Sequence, residues 1–290
     1  MTNVTPFFLG YTSSLRQGFK EVKDLAHLPS QSAASIQYVL CDIDDTVTTE
    51  GRLTAQAYLA MQALHDAGIH VIPITGRPAG WCDHFARMWP VSAVVGENGA
   101  FFMCYDLAAR KMRQQFWADA QARELNRQRL DALAKIILAE VPGCALASDQ
   151  PYRVADLAID FCEDVDRLPE TAIEKIVSLF EDNGACAKVS SIHVNGWFGQ
   201  YDKLTMTRRL FDEIFGQSVQ RLQDQILFIG DSPNDAPMFG FFENSVGVAN
   251  VQDQLHRLED LPKYVCQARG GAGFAEMAAT LLKHRSYINR

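Results

Sequence analysis

Four apolar runs, each ending abruptly in polar residues, constrain the fold of this chain more than any other feature. Continuous apolar runs are typical of parallel strands that are buried on both faces. Helical patterns separate the first three runs, one at 54–67 with Thr54 as its N-cap and one at about 78–88. This order predicts an α/β fold with a doubly wound, Rossmann-like parallel sheet. The runs are VLC at 39–41, IHVIPI at 69–74, VSAVVG at 91–96 and QILFIG at 225–230.

The polar residues that follow these runs predict a site at one edge of the sheet. Ligands of open α/β sheets bind outside the carboxyl ends of the strands, so the four polar tips converge if the runs lie parallel in one sheet. Clustered carboxylates raise one another's pKa unless a cation neutralises them, and Mg²⁺ suits a site of carboxylates, waters and substrate phosphate. The tips carry Asp42, Asp44 and Asp45, then Thr75 to Arg77, then Glu97 and Asn98, then Asp231, Ser232, Asn234 and Asp235.

Two simpler interpretations of the acidic segment at 42–45 were considered. A calcium-binding EF-hand loop that starts at Asp42 needs glycine at its sixth position and glutamate at its twelfth. Val47 and Leu53 stand there, so this interpretation fails. A solvated acidic turn after a strand is common for such a cluster standing alone. The three further polar tips make it the weaker account.

A second pattern begins near residue 101 and predicts a smaller inserted domain. A hairpin over 101–117 is followed by a helix at about 119–140, an alternating strand at 153–161, an apolar helical stripe and two short strands at about 186–190 and 192–197. The βα pattern resumes at Lys203. We therefore predict an N-terminal extension at 1–35, a discontinuous core domain at 36–111 and 196–290, and an inserted α+β domain at 112–195.

Composition narrows the possible partners. The chain has 290 residues, 48% of them hydrophobic, and a net charge of −8, which is typical of a globular protein and argues against nucleic acid or anionic membranes as partners. No apolar run approaches the roughly 18 residues of a membrane helix. Seven scattered cysteines without a CxxC pair argue against a zinc site or disulfides and favour a reducing cytoplasm.

Four motifs in order resemble the haloacid dehalogenase superfamily, in particular its Cof-like phosphatases with a type IIB cap. The resemblance covers about 36–285, and NGA at 98–100 and VGVAN at 246–250 add to it. Lys203 matches the third motif, a lysine, and Thr75 the second, a threonine or serine that ends a strand. The first motif, DxDxT, is matched by Asp42, Asp44 and Thr46, and the fourth, GDxxND, by Gly230, Asp231, Asn234 and Asp235.

The resemblance implies a division of labour among these residues. Asp42 acts as the nucleophile and Asp44 as the general acid and base. The side chains of Asp42 and Asp231 and the backbone carbonyl of Asp44 hold Mg²⁺. Thr75 and Lys203 bind the phosphoryl oxygens. Asp235, and similarly Asn234, holds Lys203 or a metal-bound water, with capping of the next helix as the alternative for Asp235.

The inserted domain corresponds to the cap of this superfamily, which closes over the substrate and selects it. Candidate substrate residues are Arg77, Asn98, His193, Asn195 and Trp197. His193 could equally be an ordinary buried strand residue, Trp197 a core residue, and Arg77 could face solvent. We expect a Mg²⁺-dependent phosphatase acting on a small sugar, polyol or glycosyl phosphate. The alternatives are a phosphotransferase or phosphomutase of the same superfamily, and a phosphate-sugar binding protein without turnover.

Overall fold

The computed structural model describes residues 22–288, and a six-stranded, fully parallel sheet organises its larger domain. Three of the four apolar runs supply strands of this sheet, two at its centre and IHVIPI at its edge. The predicted helix after Thr54 is present as Ala55–Asp66, and the Thr54 side chain accepts a hydrogen bond from the Ala57 amide. Across the sheet the strands are, in order, Lys23–Asp24, Tyr264–Val265, Asn244–Gly247, Ile226–Gly230, Tyr38–Cys41 and His70–Pro73.

Helices cover both faces of this sheet, which confirms the doubly wound α/β fold. Residues of the strand Tyr38–Cys41 alternate between two apolar cores: Val39 and Cys41 join one, Tyr38 and Leu40 the other. The first core is completed by the helices Ser30–Ser35, Ala55–Asp66 and Gly270–Ile288, and the second by Lys203–Leu210, Phe211–Phe215 and Ala236–Phe241. Burial on both faces explains why these strands are apolar throughout.

The third apolar run, at 91–96, behaves differently from the other three. Its strand, Val94–Gly96, touches the main sheet through a single parallel bridge between Ile74 and Val95. It otherwise pairs antiparallel with Phe101–Asp106, which pairs with Lys111–Phe116 in the predicted hairpin. The helix Ala79–Met88 packs on this small sheet. A further strand pair, Thr48–Thr49 with Arg52–Leu53, follows the first acidic tip.

A four-stranded antiparallel sheet and two helices form the inserted domain. The helices Ala120–Glu140 and Glu170–Asp182 share one apolar core with the sheet. The strand predicted at 153–161 is shorter and spans Leu157–Asp160. The two-residue strand Ala145–Leu146 was not predicted. In order, the strands are Cys186–Val189, His193–Trp197, Leu157–Asp160 and Ala145–Leu146.

Two of the predicted domain boundaries fall inside strands, and part of the predicted extension packs with the core domain. A boundary between 111 and 112 would cut the strand Lys111–Phe116 from its hairpin, and one between 195 and 196 would cut His193–Trp197. We therefore propose that the inserted domain runs from about 117 to 198. Residues 22–35 of the predicted extension supply an edge strand and the helix Ser30–Ser35 to the core domain, whereas residues 1–21 lie outside the described part. No helix among residues 22–288 is long and apolar enough to cross a membrane.

Candidate active site

A buried lysine between two aspartates lies at the carboxyl edge of the main sheet. Asp42 directly follows Tyr38–Cys41, and Lys203 opens its helix behind the N-cap Asp202. The Lys203 Nζ lies 2.6 Å from Asp42 Oδ1 and 2.7 Å from Asp235 Oδ1. Burial raises the pKa of Asp42 to about 8, although Lys203 opposes the shift. Burial alone would lower the pKa of Lys203, but Asp235 and Asp42 outweigh it and raise that pKa.

Asp231 completes this group, which we call the strand-tip cluster (Asp42, Lys203, Asp231 and Asp235). Carboxylate oxygens of Asp42, Asp231 and Asp235 lie within 4.8 Å of one another. Burial, and then the charge of Asp42, raise the pKa of Asp231 well above its ordinary value. The single lysine does not neutralise all three carboxylates, so further positive charge would stabilise the cluster. Buried, all-oxygen donors of this kind fit a divalent cation such as Mg²⁺.

The Asp235 carboxylate holds Lys203 and also caps the short turn Pro233–Asp235, whereas it makes no side-chain capping bond to the next helix, Ala236–Phe241. One carboxylate oxygen accepts from Lys203, and the other accepts from the backbone amides of Asp231, at 3.0 Å, and Ser232, at 3.2 Å. The second contact is part of a capping box with Ser232. A Cβ at Gly230 would collide with the Asp235 carboxylate, so the motif needs glycine there.

Asn250 is a member of the site that sequence reasoning missed. Its side-chain amide donates to Asp231 Oδ2 at 3.0 Å and to the backbone carbonyl of Asp45 at 2.9 Å, while the Thr46 hydroxyl donates to Asp231 Oδ1 at 3.2 Å. These contacts fix the Asp231 carboxylate beside the first acidic tip. The segment VGVAN had indicated a family feature but no role for Asn250.

Asp44 points away from the strand-tip cluster and is held by Arg77. The Arg77 Nε lies 2.9 and 3.0 Å from the two Asp44 carboxylate oxygens, and Nη2 lies 2.8 Å from Oδ1. Thr75 is buried, and its hydroxyl accepts from the Arg77 amide at 3.0 Å. Arg77 is itself only 3% exposed, so the expectation that it could face solvent is wrong.

Asn98 and Asn234 connect two of the predicted tips. The Asn234 amide donates to Asn98 Oδ1 at 3.2 Å, and the Ser232 hydroxyl donates to Asn234 Oδ1 at 2.8 Å. Asn98 and its neighbour Glu97 both have left-handed backbone conformations, with φ of 54° and 43°. Asn tolerates this region, whereas for Glu it is unusual. The turn after Val94–Gly96 is therefore shaped to bring Asn98 to Asn234.

A small cavity separates the catalytic candidates from the inserted domain. His193 and Asn195 line it, as predicted, through one face of the strand His193–Trp197. The His193 Nε2 lies 2.8 Å from Glu163 Oε2, and the Asn195 amide donates to Asp156 Oδ2 at 3.0 Å. Its other lining residues are Asp42, Asp44, Gly76, Arg77, Arg153, Ser190, Ser191, Ile192, Ser232 and Asn234.

Trp197 does not reach this cavity, so its placement against the leaving group is wrong. Its side chain is 1% exposed, donates from Nε1 to the Tyr201 carbonyl at 3.2 Å and stacks on the Tyr201 ring at 5.5 Å. It belongs to an apolar core beside the hairpin. The alternative interpretation, core packing, is confirmed.

Five charged residues join the two domains, and three of them, Asp149, Arg153 and Glu163, escaped sequence reasoning. We call this group the domain seam (Arg77, Glu97, Asp149, Arg153 and Glu163). The Glu97 carboxylate accepts from the core amide of Ala79 and from the amides of 154, 155 and 156 in the inserted domain, at 2.7 to 3.2 Å. The Arg153 Nη1 donates to the Gly76 carbonyl at 2.8 Å.

An open cleft of about 510 Å³ lies beside Asp231 and Asp45. Its walls are polar and come from both domains, with Ser191 and Arg167 on one side and Asn250 on the other. Ser191 also lines the small cavity, so the two spaces meet at this residue. A hydroxylated molecule would find hydrogen-bonding groups here and no aromatic or aliphatic platform.

Comparisons with known proteins agree with this fold and these motifs. Residues 39–134 match the model of the haloacid dehalogenase-like hydrolases. The chain matches no curated protein in sequence.

Three solved structures resemble the chain over most of both lengths. A HAD/COF-like hydrolase from Plasmodium vivax has a TM-score of 0.62 at 18% identity, with 88% of this chain and 99% of the other covered. The sucrose-phosphatase from Synechocystis, solved with sucrose and phosphate, has a TM-score of 0.59 at 17% identity, with 85% and 98% covered. The subclass IIB sugar phosphatase BT4131 has a TM-score of 0.56 at 13% identity, with 87% and 99% covered.

The chain resembles the haloacid dehalogenase-like hydrolases over residues 39–134, about a third of its length. It shares its fold with Cof-like and subclass IIB members of that superfamily.

Proposed function

We propose that this protein is a Mg²⁺-dependent phosphatase that cleaves small phosphomonoesters through an aspartyl-phosphate on Asp42. The observation that carries the proposal is the strand-tip cluster, in which one buried lysine bridges Asp42 and Asp235 while Asp231 remains short of positive charge. Buried carboxylates that are not fully neutralised, placed around a nucleophile, favour the binding of a divalent metal ion together with a phosphoryl group.

The residues can perform both half-reactions. Asp42 attacks phosphorus in line, and the bond to the leaving oxygen breaks while Asp44 gives that oxygen a proton. Asp44, now a carboxylate, takes a proton from a water that attacks the aspartyl-phosphate. This second step releases inorganic phosphate and restores both aspartates.

Thr75 and Lys203 would bind the phosphoryl oxygens. The Lys203 ammonium has three donors, of which Asp42 and Asp235 occupy two, so one remains for the substrate. The side chains of Asp42 and Asp231 and the carbonyl of Asp44 would hold Mg²⁺, with Asn250 and Thr46 fixing Asp231. The ion would supply positive charge between the nucleophile and the phosphoryl group.

We further propose that the leaving group is a small sugar, polyol or glycosyl unit and that the inserted domain acts as the cap. The polar cavity and cleft, and the likeness to a phosphatase solved with sucrose and phosphate, support this choice. A binding protein without turnover would need no acid at Asp44. The seven cysteines, all unpaired within residues 22–288, support a reducing cytoplasm as its location.

A phosphate-release assay over a panel of sugar, polyol and glycosyl phosphates tests the proposal. Release should require Mg²⁺, fall to background in EDTA and be absent in Asp42→Asn. Phosphoryl transfer to an added sugar in place of release would favour the phosphotransferase instead. No reaction of any kind across the panel, by a folded protein, would contradict the proposed function.

A further inference from the structure

Arg77 is shared between the two domains. This residue of the core contacts three carboxylates at once: Asp44 of the core, Asp149 at 3.3 Å from Nη1 and Glu163 at 2.8 Å from Nη2. The last two belong to the inserted domain. A planar guanidinium with several carboxylate partners is fixed in direction as well as in position. Its face also lies 4.4 Å from the centre of the Trp81 ring.

The contacts on the side of the inserted domain are themselves held in place. Asp149 accepts from Arg153 at 2.9 and 3.1 Å, and the His193 ring lies 2.8 Å from Glu163. Burial alone would raise the pKa of Glu163, but His193 and Arg77 outweigh it and lower that pKa to about 2. Glu163 is thus a carboxylate that the closed arrangement keeps charged.

Asp44, in contrast, depends on Arg77 alone. Within the described part of the chain, Arg77 is the one side chain that donates hydrogen bonds to the Asp44 carboxylate. The orientation of Asp44 therefore follows that of the guanidinium, and the inserted domain sets the guanidinium through Glu163 and Asp149. If the inserted domain moved away, Arg77 would keep one carboxylate partner of three and could turn with it.

We propose that Glu163 is a positioning residue, which reaches through Arg77 to orient Asp44 and so sets the acid for protonation of the leaving group only when the cap lies on the core. This role rests on the proposed phosphatase function. It assigns to the cap a part in the chemical step that is separate from substrate contact.

The test compares Glu163→Gln, which keeps the shape and removes the charge, with Asp166→Asn, an exposed carboxylate three residues away. The substrates are p-nitrophenyl phosphate, whose leaving group needs no acid, and the best alkyl phosphate of the panel. Glu163→Gln should lower kcat about tenfold or more on the alkyl phosphate and less than about threefold on the aryl ester, with little change in KM. Asp166→Asn should change neither value.

Equal losses on the two substrates, or a change in KM alone, would overturn the positioning role, because a defect in folding or substrate binding does not depend on the leaving group. No effect of Glu163→Gln would also overturn it. A double-mutant cycle of thermal stability with Arg77→Gln gives a reading without activity. The double variant should be destabilised less than the two single losses combined. If the wild type released no phosphate, the proposed function would fail. An additive double-mutant cycle would, in that case, also refute the coupling between Glu163 and Arg77.

Discussion

The strand-tip cluster and the Glu163 carboxylate of the domain seam show opposite effects of their surroundings on carboxylate pKa. In the cluster, burial and mutual repulsion raise the pKa of Asp42 to about 8 and raise that of Asp231 well above its ordinary value. In the seam, His193 and Arg77 lower the pKa of Glu163 to about 2 against the effect of burial. Further positive charge would stabilise the carboxylates of the cluster, whereas Glu163 already has a cationic partner in Arg77.

The difference separates two uses of buried charge. An unneutralised cluster is costly in the folded protein and becomes favourable when metal and phosphoryl group enter. A satisfied seam orients groups and joins the domains in the absence of ligand. Asp44 lies where the two meet, since its main chain belongs to the first acidic tip and its carboxylate is bound by a seam residue.

The largest expected effect is at Asp44. Asp44→Asn leaves the nucleophile but no acid, and it should reduce kcat on alkyl phosphates by about 10²- to 10⁴-fold. Activated aryl phosphates should lose much less, because their leaving groups depart without a proton. Steady-state kinetics on both substrate types measure this, with Asp42→Asn, which should lose both, as the control. An equal loss on both types in Asp44→Asn would contradict the acid role.

A second effect tests the corrected position of Trp197. Trp197→Ala should reduce the free energy of unfolding by about 3–5 kcal/mol, as for large aromatic residues in cores, and leave the ranking of substrates unchanged. Asn195→Ala, on the same strand but at the cavity, should change the ranking of substrates instead. It should raise the transition-state free energy for the preferred substrate by about 1–3 kcal/mol. Urea unfolding and the substrate panel distinguish them. A changed ranking in Trp197→Ala alone would restore its role at the leaving group.

The aspartates of the strand-tip cluster could be predicted because they follow apolar strands. Parallel pairing of those strands brings Asp42 and Asp231 to one edge whatever the rest of the chain does. Lys203 needed the resemblance to a known motif, since a lysine at the start of a helix is usually solvated. The pattern of apolar runs thus predicted the doubly wound sheet and where its site lies.

The seam could not be predicted in this way. Asp149 and Glu163 lie in irregular segments 72 and 86 residues from Arg77, and their partners depend on how one domain sits on the other. Glu97 ends an apolar run like the other tips, yet its carboxylate turns to backbone amides at 154–156. Trp197 shares a strand face with His193 and Asn195, but it lies further along the strand, beyond the cavity and in the apolar core beside the hairpin, and sequence alone did not show where along the strand the cavity ends.

A third prediction concerns the Mg²⁺ ion that we propose for the strand-tip cluster. Mg²⁺ should stabilise the wild type against heat relative to EDTA, by about 2.7 kcal/mol when free Mg²⁺ is a hundredfold above its Kd. Asp231→Asn should abolish this difference, whereas Glu163→Gln should keep it. Differential scanning fluorimetry in both buffers measures it. A shift that survives Asp231→Asn would place the metal elsewhere.

The smallest effect is a pH dependence of the stability that Glu97, one of the three seam carboxylates, contributes. Burial, and then Asp156, raise the pKa of Glu97 from 4.5 to about 7 against the opposing charge of Arg153. The folded state then binds more protons than the unfolded state between these values. The stability that Glu97 contributes is therefore complete below pH 4.5, is lost as the pH rises to 7, and is constant above it.

Urea unfolding of the wild type and of Glu97→Gln at pH 5, 6, 7 and 8 makes this effect visible. The advantage of the wild type over the variant should shrink up to pH 7, by at most about 1.4 kcal/mol per pH unit, and then level off. Asp42 and Asp231 titrate in both proteins, so the difference isolates Glu97. Asp166→Asn, which replaces an exposed carboxylate, is the matched control, and its difference from the wild type should be constant over the same range. A flat difference for Glu97 would mean that its four backbone donors hold it charged, which would make it a satisfied carboxylate like Glu163.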